Sequence, residues 1–179
     1  MNDPLGIPSP WARRFAHLVE KGGAVLDLAA GAGRHARFFA GRGHPVVAVD
    51  RNLDGMADLD PEGPVEQVKA DLEDGSPWPL GDRQFAGIIV SNYLHRPLLP
   101  RLAAALAPGG VLIYETFAVG QAAFGRPSSA DYLLRPNELL HAFADALTIV
   151  AFEHGIDYAP GPKAVQRLAA VKGRDLVPL

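Results

Sequence analysis

The chain has 179 residues, 48% of them hydrophobic and 21% charged, which is room for one globular domain with a sizeable core and not for two. Its formal net charge is −3 and its basic residues do not cluster, so no face is expected to neutralise many phosphates and nucleic acid is not the expected partner. The absence of cysteine excludes disulfides, thiolate metal sites and cysteine nucleophiles. No apolar run approaches the roughly 18 residues of a membrane span, and Met1-Asn2-Asp3-Pro4 lacks the regions of a signal peptide, so a cytoplasmic location is expected.

In chain order, residues 10–21 read as an amphipathic helix ended by Gly22-Gly23. Then come a strand at 24–28, a helix at 34–41, a strand at 46–50 and a short helix at 53–59. A third strand is expected at 65–70, a fourth at 85–91, a helix at 98–107 closed by Pro108-Gly109-Gly110, and a fifth strand at 111–116. Such alternation predicts a doubly wound α/β fold, a mostly parallel sheet with helices on both faces. Periodicity lapses over 117–134, long enough to be a functional loop, taken as the substrate loop. A helix beginning at Arg135-Pro136 runs to about Ala146, and strands at 148–153 and 164–171 are separated by 155–162 as an antiparallel edge pair.

The first strand ends in Leu26-Asp27-Leu28, and Ala29-Ala30-Gly31-Ala32-Gly33 leads into the next helix. The glycines let the backbone turn sharply and approach a ligand. Asp50 ends the second strand at the distance where an acid accepts hydrogen bonds from ribose hydroxyls. Gly31, Gly33 and Ala36 also satisfy the spacing of a dinucleotide site, so the glycines alone do not choose the ligand. Asp27 favours a cationic ligand, because a carboxylate at the loop entrance repels a pyrophosphate. Asp71-Leu72, past the third strand, adds an acid for an adenine amino group and an apolar cover for the ring. Each acid taken singly is explained as well by capping or turn formation.

Through these segments, with Val47-Ala48-Val49-Asp50, Phe85-Ala86-Gly87-Ile88-Ile89-Val90-Ser91 and Leu106-Ala107-Pro108-Gly109-Gly110-Val111-Leu112, the chain from about residue 22 to 171 resembles the Rossmann-like S-adenosylmethionine-dependent methyltransferases. Its nearest likeness is to the small tellurite-resistance-like and thiopurine-like enzymes. The resemblance implies a seven-stranded sheet of order 3-2-1-4-5-7-6 with the last strand antiparallel. It also implies methyl transfer from S-adenosylmethionine, leaving S-adenosylhomocysteine, to a small-molecule substrate. The cofactor set it implies is Asp27, Ala29, Gly31 and Gly33 toward the methionine, Asp50 toward the ribose, Asp71 and Leu72 toward the adenine, and Ser91, Asn92 and Tyr93 at the reacting centre; Arg51, next to Asp50, joins the cofactor set, and His35, at the start of the helix after the glycine loop, is part of the cofactor surround or a capping group. Ala29 departs from the family, which usually has its first glycine there.

Methyl transfer from a sulfonium relies largely on positioning. Where a base is needed, Tyr93, His95 and Glu115 are the catalytic candidates, since they follow strands four and five at the ligand-binding edge. Trp11, Tyr93, Arg126 and Tyr132 are the candidate substrate contacts, Trp11 through a lid formed by residues 1–22. The six histidines have no paired ligand spacing, so no metal site is expected. The whole chain, 1–179, is read as one domain, a monomer or weak homodimer. Alternatives are an NAD-dependent oxidoreductase, a non-catalytic adenosine-ligand-binding module, and an RNA or protein methyltransferase using Arg13, Arg14, Arg34, Arg37 and Arg42.

Overall fold

A computed structural model describes residues 6–178. The expected N-terminal features at 1–5 lie outside the described residues. Seven strands, β1 (Val25–Leu28), β2 (Val46–Asp50), β3 (Val65–Lys69), β4 (Phe85–Ser91), β5 (Leu106–Phe117), β6 (Thr148–Asp157) and β7 (Lys163–Val171), form one sheet of order β3-β2-β1-β4-β5-β7-β6. The first five run parallel, and β7 is antiparallel to both β5 and β6. The expected strand order and its antiparallel last strand are therefore present.

The helices are α1 (Pro10–Phe15), α2 (Arg34–Ala40), α3 (Leu99–Ala105) and α4 (Glu138–Phe143). Strand side chains alternate between faces, so β5 sends Val111 and Ile113 to the face carrying Trp11, Phe15 and Phe39, and Leu112 and Tyr114 to the face carrying Leu102 and Phe143. β1 is buried at every position, as a central parallel strand covered on both faces must be. Full burial of a side chain such as Phe39 is worth about 1.5–3 kcal/mol.

Several boundaries differ from the sequence expectation. Segment 53–59 forms only a 3-10 turn, Asp54–Met56. A β-carbon on Gly55 would lie 2.8 Å from the Ala32 Cα, so this turn packs backbone to backbone on the glycine loop. α3 stops at Ala105, where Leu106 turns extended (ψ 132°), and the Lys172 ammonium, just past β7, satisfies the carbonyls of Ala103 (3.0 Å) and Leu106 (2.7 Å). Pro108-Gly109-Gly110 then falls inside β5, where the register against β4 shifts between Phe85 and Gly87. α1 is shorter than 10–21, capped by Ser9 and followed by a 3-10 turn. α4 starts after Asn137 in the left-handed region (φ 61°), two residues later than expected from Pro136. Among the described residues no helix is long and apolar enough to cross a membrane.

Candidate functional site

Parallel strands end at one edge of a sheet, and here that edge gathers the acids. Asp27 lies near the end of β1, Asp50 ends β2, and Asp71 follows β3. With Ala29, Gly31, Arg51, Leu72, Ser91, Asn92 and Tyr93 they line a cleft of about 450 Å³. Arg34 and His35 of α2 and Tyr132 of the long loop complete it, together with Ala30, Ala32, Ala70 and Glu73. Sequence reading did not assign Arg34 or Glu73 to the cofactor set, although Arg34 directly follows Gly33 and Glu73 is two residues past Asp71. Gly33 does not line the cleft. Its left-handed backbone (φ 72°) turns the chain into α2, and a β-carbon there would meet the Met56 side chain at 2.7 Å.

Asp27 is only 2% exposed, and its Oδ2 accepts the Ala36 N–H at 2.8 Å. Burial pushes the carboxyl up to about 7, opposed by that hydrogen bond and by Arg34, and assisted by Asp50. A buried acid held near neutrality is one that a ligand cation can ionise. Asp50 joins two loops: Oδ2 accepts the Gly31 N–H at 2.7 Å and Oδ1 the Asn52 N–H at 2.9 Å. Each oxygen keeps a further lone pair for a ligand hydroxyl. Asp71 accepts the Glu73 N–H at 2.9 Å and is exposed to the cleft. Ala29 sits at φ 55°, a left-handed conformation that favours glycine.

His35 is buried, and its Nε2 accepts the Ser9 N–H at 3.2 Å, so the neutral ring carries its proton on Nδ1. Burial, then the Arg34 charge, lowers it to about 3. Trp11 is a correction: it is 4% exposed, its Nε1–H donates to the Leu168 carbonyl at 3.1 Å, and its ring meets Phe15 edge-on at 4.7 Å. It anchors α1 to the sheet and does not line the cleft.

The catalytic candidates separate. Tyr93 lines the cleft, but burial first, then the Glu73 and Asp71 carboxylates, raises its phenol above the ordinary value, so it stays protonated at neutral pH. His95 and Glu115 do not line it. Glu115 is held by Arg167 Nε at 3.2 Å and accepts the Ser91 hydroxyl at 3.2 Å, while Arg34 Nη2 donates to that hydroxyl oxygen at 2.9 Å. The Ser91 proton must therefore point to Glu115. Arg167 continues the row to Glu153 (3.2 Å) and Asp157.

The long loop is tied down at several points. Buried Gln121 accepts the Ala164 N–H at 2.9 Å and donates to the Arg126 carbonyl at 3.3 Å, and Ala118 bridges to Leu134. Tyr132 reaches the cleft, whereas Arg126 is exposed outside it. Among the described residues no cluster of three or more histidine, aspartate or glutamate side chains is arranged to hold a metal ion.

No family model and no curated protein matches the sequence. Solved structures do match. TehB from Haemophilus influenzae superposes with a TM-score of 0.71 at 15% identity, over 93% of this chain and 62% of that one, so this chain spans about three fifths of its length. Another is 1,6-didemethyltoxoflavin-N1-methyltransferase from Burkholderia thailandensis, solved with bound 1,6-didemethyltoxoflavin and S-adenosylhomocysteine (TM-score 0.70, 22% identity, 96% of this chain and 80% of that one). The chain has the fold of the Rossmann-like S-adenosylmethionine-dependent methyltransferases. A TehB-like S-adenosylmethionine-dependent methyltransferase from Corynebacterium glutamicum shares this methyltransferase fold at 16% identity, with a TM-score of 0.64 over 90% of this chain and 86% of that one. In a methyltransferase fold built from so different a sequence, strand order persists while side chains vary, so function is carried by the side chains of the cleft.

Proposed function

We propose that the chain is a single-domain methyltransferase that binds S-adenosylmethionine and methylates a small-molecule acceptor by in-line displacement. The observation that carries this reading is one cleft, on this fold, lined by Asp27, Asp50 and Asp71 from three successive strand ends. Its carboxylates suit a ligand with an ammonium and a sulfonium at one end, ribose hydroxyls in the middle and an adenine amine at the other. Its volume, about 450 Å³, is within the roughly 300–1,000 Å³ class of small-molecule sites. When bound, S-adenosylmethionine supplies an activated methyl group.

The chain's own contribution is placement. Gly31, held by Asp50, shapes the loop against the ligand, and Leu72 covers one side of the cleft. Arg34 and Glu115 fix the Ser91 hydroxyl at the β4 end. None of Tyr93, His95 and Glu115 is placed as a free base, which fits an acceptor atom that is nucleophilic at neutral pH without first losing a proton.

The small-molecule class is supported by how the basic set is used: Arg14 lies over the Phe15 ring (4.9 Å) and pairs with Glu153 (3.6 Å), Arg37 pairs with Asp58 (2.6 Å), and Arg42 lies over Phe38 (5.4 Å). Against a dinucleotide stands the same acid row, which would repel a pyrophosphate. Isothermal titration with S-adenosylhomocysteine tests the donor site, and absence of binding at high micromolar ligand overturns it. Saturable binding of NADH in its place would revive the oxidoreductase reading.

A further inference from the structure

We propose that Arg96 is a positioning residue that holds Tyr132 over the cleft, so that the Tyr132 ring covers the bound donor. This rests on the donor assignment above. Among the described residues lining the cleft, Tyr132 alone comes from beyond β5. Its neighbours Leu133 and Leu134 are buried at 5% and 0% exposure, while Tyr132 is 48% exposed. The chain is thus anchored in the core on the C-terminal side of Tyr132, and the hold on its N-terminal side has to come from elsewhere.

One guanidinium supplies it. Arg96 Nη1 donates to the Asp131 carbonyl at 2.8 Å and Nη2 to the Leu133 carbonyl at 2.9 Å, the two carbonyls flanking Tyr132. Nε and Nη2 grip the Glu138 carboxylate at 2.6 and 3.0 Å, and that carboxylate also accepts the Arg135 N–H at 2.7 Å. Arg96 belongs to the segment that leaves β4 through Ser91, Asn92 and Tyr93, so the same stretch of chain lines the cleft and clamps its cover. The planar fork is required, because a lysine ammonium cannot reach two carbonyls on one side and a carboxylate on the other.

The test measures S-adenosylhomocysteine affinity and dissociation rate for the wild type, Y132A, Y132F, R96K and the R96K/Y132A pair, with hydrogen exchange of 128–134. Y132A is expected to raise Kd about five- to tenfold, mostly through faster dissociation, as loss of one aromatic contact does. R96K should do the same and raise exchange at 128–134, the double variant should be no worse than either single one, and Y132F should stay within twofold. Kd unchanged in Y132A overturns the proposal, and so does multiplication of the two effects in the pair. A wild type that fails to bind overturns the donor assignment and this proposal together, which distinguishes the two failures. Tyr132 lies at the surface, so Y132A tests the cover in a folded protein, and R96K with wild-type Kd and wild-type exchange at 128–134 overturns the role of Arg96.

Discussion

Asp50 holds the glycine loop from the end of the neighbouring strand, its Oδ2 taking the Gly31 N–H at 2.7 Å while Oδ1 takes the Asn52 N–H at 2.9 Å. The residue that faces a ribose in the proposed complex also shapes the loop on which the methionine rests. D50A is therefore expected to weaken S-adenosylhomocysteine binding by tenfold or more, since charge-assisted hydrogen bonds are worth about 1.5–3 kcal/mol. Calorimetric titration reads the change, and undiminished affinity would place the ribose elsewhere.

In the proposed complex Asp27 couples donor binding to protons. With its carboxyl raised to about 7 by burial, the free protein at pH 7 carries roughly half a proton there, and a cation bound against it favours the ionised form. Binding of S-adenosylhomocysteine, whose ammonium is cationic, should release about half a proton at pH 7 and almost none at pH 9. Titrations in buffers of different ionisation enthalpy report the number. Equal heats in all buffers at pH 7 would contradict it.

Asp27 and His35 act in opposite directions on stability. The raised Asp27 contributes stability that is full below about pH 4 and lost as pH rises through 7; the lowered His35 contributes stability present above pH 6.5 and lost as pH falls toward 3. Between pH 4 and 6.5 folding gains one proton and loses another, and the two slopes offset. In D27N only the His35 slope remains, so the stability of D27N relative to wild type should rise with pH by up to about 1.4 kcal/mol per unit. Urea midpoints from pH 4.5 to 6.5 measure it, and parallel profiles would refute it.

Ala29 sits at φ 55°, where an L side chain costs about 1–2 kcal/mol relative to glycine. A29G should stabilise the fold by about 1 kcal/mol and raise Tm by about 2–4 °C. A lower Tm in thermal denaturation would show that the alanine methyl packs favourably in the loop.

Trp11 separates a lid from a core residue. W11F removes the hydrogen bond to the Leu168 carbonyl and some packing, and should cost about 1–3 kcal/mol of stability while leaving S-adenosylhomocysteine affinity within twofold. A large affinity loss without a stability loss would restore the lid.

Seven strands and the acids at Asp27, Asp50 and Asp71 were legible from the chain alone, because buried parallel strands are written as local apolar runs and a cleft at their ends must be lined by the residues that follow them, whereas the strand order came from the family resemblance. The short turn at Asp54–Met56 and the extension of β5 through Pro108-Gly109-Gly110 were not, since the groups that meet them, the Ala32 backbone and the Lys172 ammonium, come from distant parts of the sequence. Nor does a helical pattern reveal which way Trp11 faces, or that Arg96 serves the backbone around Tyr132. Such roles depend on hydrogen bonds between segments far apart in the chain, for which local periodicity carries no signal, and only the tertiary structure decided them.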